Sequence, residues 1–84
     1  MQPAPARTVF DVITDFLASE PTPQAILDYR LPHELEERAA ELLEGKREDQ
    51  LSFDEEMEMY DFVRADDMMT LLKAKTRLKL SGKA

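Results

Sequence analysis

The chain contains no cysteine, no tryptophan, one histidine and two glycines among 84 residues. Without cysteine it has no disulfide and no thiolate metal site to support a small core. Its glycines, Gly45 and Gly82, form no Gly-rich phosphate loop. No apolar run approaches the roughly 20 residues of a membrane-spanning helix, so no membrane partner is expected. Basic side chains are outnumbered, 11 against 18 acidic, for a net charge of −7. That acidic balance disfavours nucleic acid as a partner. Residues 1–7 are rich in Pro and Ala and lack the apolar centre of a signal peptide; Asp11 and Asp15 interrupt the next segment. A disordered stretch over residues 1–7, one helical domain over residues 8–84 and a cytoplasmic location are expected.

What is present is charge and helical periodicity, with 35% of residues charged and 43% hydrophobic. The last third reads as one long helix. Ser52-Phe53-Asp54-Glu55 is a capping box, with Ser at the N-cap and Glu three residues on. No Gly or Pro occurs between there and Gly82. The first turns carry Asp54, Glu55, Glu56 and Glu58 and the last carry Lys73, Lys75, Arg77 and Lys79, matching the helix dipole at both ends. Over residues 53–80 such a helix spans about 42 Å at 1.5 Å per residue. A compact chain of this length has a radius of gyration near ~12 Å, so the helix is longer than its own domain can cover.

Three shorter helices precede it. Val9, Phe10, Ile13, Phe16 and Leu17 share one face of a helix capped by Thr8 and ended before Pro21. Thr22-Pro23 starts a second of about two turns, carrying Ala25, Ile26 and Tyr29. Leu31-Pro32 stops it and opens a third. There Leu35, Ala39, Leu42 and Leu43 form the apolar stripe, with Glu34, Glu36, Glu37, Arg38, Glu41 and Glu44 around it and Gly45 as the terminating C′ residue. Arg38 and Glu41 are spaced to pair. No strand is expected, so the fold class is all-α: three shorter helices packed on the first half of one long C-terminal helix. Leu35, Leu42 and Phe16 are the expected core anchors.

The long helix is apolar on two sides. One face carries Met57, Tyr60, Met68, Leu71 and Leu78, with Arg64 and Lys75 in the same row. The other carries Met59, Phe62, Val63, Met69 and Leu80. A helix apolar on both sides is wrapped on both. The earlier helices can cover one side; the other invites another protein or a second copy, and a homo-oligomer is expected where no partner is present. Asp66-Asp67 interrupts the stripe. The charge distribution is polar end to end. Residues 1–69 hold six basic and eighteen acidic side chains, a net −12, and residues 70–84 hold five basic and no acidic ones, a net +5. Such a layout steers a charged partner or supports association between copies.

The chain offers little chemistry. His33-Glu34 with Glu37 lacks the second His at i+4 that a zinc helix requires. Glu34, Glu37 and Glu41 lack the inward Glu-x-x-His pairs of di-metal bundles and read as a solvated acidic face. The methionines read as adaptable packing or interface residues. No hydroxyl has a His beside it in sequence for nucleophilic catalysis. The basic end lacks the interleaved aromatics of a single-strand nucleic-acid platform. No catalytic residue, metal site or cofactor is expected.

Several phrases together carry a resemblance: Thr8-Val9-Phe10-Asp11-Val12-Ile13, Ala25-Ile26-Leu27-Asp28-Tyr29-Arg30-Leu31-Pro32, Glu37-Arg38 with Glu41-Leu42-Leu43-Glu44, and Leu71-Leu72-Lys73-Ala74-Lys75 with Arg77-Leu78. Over most of residues 8–80 the chain resembles a group of short, uncharacterised bacterial proteins, notably cyanobacterial. In that group the turn before the last helix often reads Gly-Thr-Leu-Thr-Pro-Glu-Glu. Here it reads Asp49-Gln50-Leu51-Ser52-Phe53-Asp54-Glu55, which keeps the cap and loses the Pro. The resemblance implies an antitoxin-like partner of a small nuclease and transfers no site residue.

The expected function is therefore non-enzymatic protein–protein interaction, antitoxin-like or adaptor in role. The binding surface is placed on the distal half of the long helix at Met68, Leu71, Leu72, Lys75, Arg77 and Leu78. A self-assembling homodimeric or higher-order structural module is the alternative, and a small metal-dependent helical enzyme a third class.

Overall fold

Short capping signals set three of the four helix starts in residues 7–82, the part of the chain described by this computed structural model. The expectation for residues 1–7 lies outside the described residues except at Arg7, which is ion-paired with Asp15. Helix α1 (Val9–Ala18) begins where the Thr8 hydroxyl accepts from the Asp11 N–H at 3.1 Å. Helix α2 (Pro23–Leu27) begins where the Thr22 hydroxyl accepts from the Ala25 N–H at 3.1 Å. Helix α3 (His33–Arg47) has Pro32 at its N-cap and no side-chain cap. Helix α4 (Phe53–Leu80) begins in a complete capping box: Glu55 N–H donates to the Ser52 hydroxyl at 3.2 Å, and Ser52 N–H donates to the Glu55 carboxylate at 2.9 Å. That backbone bond holds the Glu55 carboxyl below the usual carboxylate range. Among the described residues no strand is present.

Gly45 does not terminate α3. It is buried inside the helix, which runs two residues further to Arg47. Asp49 takes the left-handed conformation instead, at φ 55°. Gln50 N–H donates to the Gly45 carbonyl at 2.9 Å and Asp49 N–H to the Lys46 carbonyl at 3.1 Å. These are the two closing bonds of a Schellman motif, with Asp in the place that Gly usually fills. Gly82 does fill that place after α4, at φ 75°.

The three shorter helices all pack on α4, but they do not crowd its first half. Val9 and Ile13 of α1 form a buried cluster with Ala65 and Met69 of α4, flanked by Phe10, Leu17, Tyr29, Leu31, Phe62 and Leu72. Beyond it the Lys73 ammonium donates to the Tyr29 carbonyl at 2.9 Å. Helix α3 thus seats on the proximal half of α4, while α1 crosses its middle, from the groove that Val9 shares with Met57 and Phe62 to the cluster with Ala65 and Met69. The result is elongated, 47 × 22 × 17 Å, with a radius of gyration of 14.8 Å against the ~12 Å of a compact chain.

The inward face of α3 is rotated from the predicted stripe. Leu35 and Leu42 are fully buried as expected. Leu43 is 53% exposed, and Arg38 is 5% exposed between the two buried leucines. Burial of this guanidinium is offset by a two-pronged pair with Glu58 of α4, both bonds 2.8 Å, and by the predicted contact with Glu41 at 3.4 Å. The Glu58 bonds hold Arg38 charged against the desolvation that opposes it. Lys46 and Glu56 tie the same two helices at 2.6 Å. Phe16 is half-buried rather than a full core anchor, and its ring lies 4.2 Å from that of Tyr29.

Candidate functional site

A 28-residue helix with a packed side also has an outer side. The packed side of α4 holds Met59, Ala65, Met69 and Thr76, all buried, with the Thr76 hydroxyl donating to the Leu72 carbonyl at 2.8 Å. Away from it runs the row predicted as the helix's first apolar face, which at its start, at Met57, borders a groove shared with Val9 of α1 and Leu35 of α3. Met57, Tyr60, Met68, Leu71 and Leu78 are between 38% and 57% exposed. Counted with Arg64 and Lys75, steps of three and four keep them in line, and the row is about 32 Å long from residue 57 to 78 at 1.5 Å per residue. Isolated exposed apolar side chains need no explanation, whereas five large ones aligned on one helix, even with Arg64 and Lys75 between them, make a candidate surface.

The polar members of the row extend it. Arg64 donates to Asp61 one turn back at 3.3 Å, and its aliphatic stem continues the apolar line. Lys75 is exposed between Leu71 and Leu78. Net charge changes sign along the helix: Asp54, Glu55, Glu56, Glu58 and Asp61 crowd the start, and Lys73, Lys75, Arg77 and Lys79 the end.

Of the six predicted surface residues, four share this row: Met68, Leu71, Lys75 and Leu78. Leu72 does not. It is half-buried and turned toward the core cluster of Val9, Ile13, Ala65 and Met69. Arg77 is exposed but rotated about 100° from Leu78 on the helix, off the row. Exposure of similar degree to that of Met68 continues onto the proximal half at Met57 and Tyr60, beyond the distal half where the surface is predicted. The signal for the full row was in the sequence, in the seven-residue spacing of positions 57, 64, 71 and 78.

Other features carry less chemistry. A cleft of about 240 Å³ is lined by Ile13, Tyr29, Phe62, Met69 and Lys73, among others. The Tyr29 hydroxyl is buried without a hydrogen-bond partner among the described residues, and burial raises its pKa. A second groove of about 290 Å³ between α3 and α4 is lined by Leu43, Met59 and Val63, among others. His33 is exposed and lies 2.6 Å from Glu37. Among the described residues no group of three or more His, Asp or Glu side chains is placed to hold a metal ion. No helix among them is long and apolar enough to cross a membrane. Comparison with protein-family models, with curated proteins and with solved structures finds no match to this chain.

Proposed function

We propose that this chain is a non-enzymatic protein–protein interaction module, cytoplasmic and antitoxin-like or adaptor in role, that docks through the outer face of α4. The observation that carries the reading is the line of exposed Tyr60, Met68, Leu71 and Leu78 along α4, continued at its start by Met57, which is 39% exposed at the rim of a groove it lines with Val9 and Leu35. An apolar helix face in this register suits docking against another helix or into a groove. Its thioether side chains adapt to the shape they meet. The basic residues at the end of α4 favour an acidic surface and act chiefly on association rate.

The test is a Leu71→Asp/Leu78→Asp variant. Both positions are about half exposed, so the variant is expected to keep its circular dichroism spectrum and melting temperature. It is expected to lose association, whether with a second copy in light scattering or with a host protein in a pull-down. Association undiminished in both assays would place the binding surface elsewhere.

A further inference from the structure

We infer that the occupant of this face is a second copy of the chain, laid antiparallel along α4 with the two-fold axis between residues 67 and 68. The inference rests on the docking reading above and names its partner.

The row is nearly symmetric about that point. Reversing one helix sets Met57 against the partner's Leu78, Tyr60 against the partner's Lys75 and Arg64 against the partner's Leu71, with Met68 beside the axis. Each pairing is chemically compatible. Met on Leu is apolar contact. Lys75 extends its stem over the partner's Tyr60 ring, an arrangement that favours an ammonium, near the partner's Asp61. Arg64 lays its stem on the partner's Leu71 while its guanidinium keeps Asp61 of its own helix, the bond already seen at 3.3 Å. The two cations of the row never face each other. In a parallel pair Arg64 would meet the partner's Arg64 and Lys75 the partner's Lys75, and like charges placed opposite are repulsive.

The helix ends give the same answer. Antiparallel pairing brings the acidic first turns of one α4 alongside the partner's basic last turns, and sets the two helix dipoles in opposition. Parallel pairing would stack acid on acid and base on base. The row's footprint, about 32 Å by one helix width of ~10 Å, is roughly 320 Å² on each copy, well under the ~800 Å² per partner of a standard interface, so the contact is of the weak, transient kind. The dimer is therefore expected to dissociate in the micromolar range and to weaken as salt rises.

Cysteine cross-linking tests the geometry, because the chain has no cysteine of its own. Met57→Cys and Leu78→Cys variants, distinguishable by a mass tag, are oxidised separately and mixed, alongside light scattering of the wild type over a concentration series. The expected result is a concentration-dependent wild-type dimer and disulfide-linked mixed pairs in clear excess over either self-linked pair, since a disulfide needs Cα atoms within about 7 Å. Self-linked pairs in excess would overturn the antiparallel arrangement. A wild type that stays monomeric into the high micromolar range would overturn the inference. If such a monomer binds a host protein and Leu71→Asp/Leu78→Asp abolishes that binding, the docking reading survives with a different partner. A dimer unaffected by Leu71→Asp/Leu78→Asp would overturn the inference, and host-protein binding equally unaffected would overturn the docking reading with it.

Discussion

Removing Glu58 should expose how the α3–α4 interface is held. In the native fold the Arg38 guanidinium is 5% exposed and donates two 2.8 Å bonds to Glu58, whose side chain is 26% exposed. Breaking a buried pair by deleting one partner typically costs about 3–5 kcal/mol, because the other charge is left uncompensated. Here Glu58 is partly solvated and Glu41 still reaches Arg38 at 3.4 Å, so Glu58→Ala is expected to cost ~2–4 kcal/mol. A domain of this length has a total stability on the order of 4–12 kcal/mol, so the loss would be visible in either urea or thermal unfolding followed by circular dichroism. Arg38→Met should cost less than Glu58→Ala, since the carboxylate it strands lies nearer to water. The double variant Arg38→Met/Glu58→Leu should recover to within ~1 kcal/mol of wild type, because apolar packing can replace a buried ion pair without loss. With the Glu58→Leu single as the remaining corner, the cycle should give a coupling of at least ~1.5 kcal/mol. A Glu58→Ala loss below ~1 kcal/mol, or a double variant no better than the sum of the singles, would refute this account of the interface.

The rotation of α3 makes a contrast between neighbours: Leu42→Ala should cost about 2–5 kcal/mol, while Leu43→Ala should stay within ~0.5–1 kcal/mol of wild type. Equal losses in equilibrium unfolding would contradict the buried assignment of Leu42. At the end of α3, Asp49→Gly should stabilise by roughly 0.5–1 kcal/mol, because glycine accepts φ 55° freely and no longer sets a carboxylate at the negative end of the helix dipole. A melting temperature raised by about 2–8 °C would accord with that, and an unchanged or lowered one would not. For the outer face, the loss of association in Leu71→Asp/Leu78→Asp and the mixed cross-link between positions 57 and 78 are the two decisive measurements.

Helix starts were legible in the sequence because capping is local. The hydroxyls of Thr8, Thr22 and Ser52 each reach an N–H only three residues away. The length of α4 was legible for the same kind of reason, a capping box with no Gly or Pro after it until Gly82. The outer row was legible as a spacing, whereas the second predicted face was legible only in part: Met59, Phe62 and Met69 turn inward, and Val63 and Leu80 stay about half exposed. Tertiary structure alone decided which face turns inward. Ala65 and Thr76, too small or too polar to weigh in a hydrophobic pattern, are buried in α4, and the core cluster that α1 forms across the middle of α4 takes in Leu72. Tertiary structure also decided that Arg38 lies inside and Leu43 outside. Periodicity ranks residues by their own hydrophobicity and cannot see a compensating carboxylate twenty residues on, yet the Glu58 bonds are what make a buried guanidinium tolerable. Gly45 was misplaced as a terminator for a related reason. A glycine permits a left-handed turn, but the chain puts that turn where the backbone bonds close, at Asp49, after α3 has run its full length against α4.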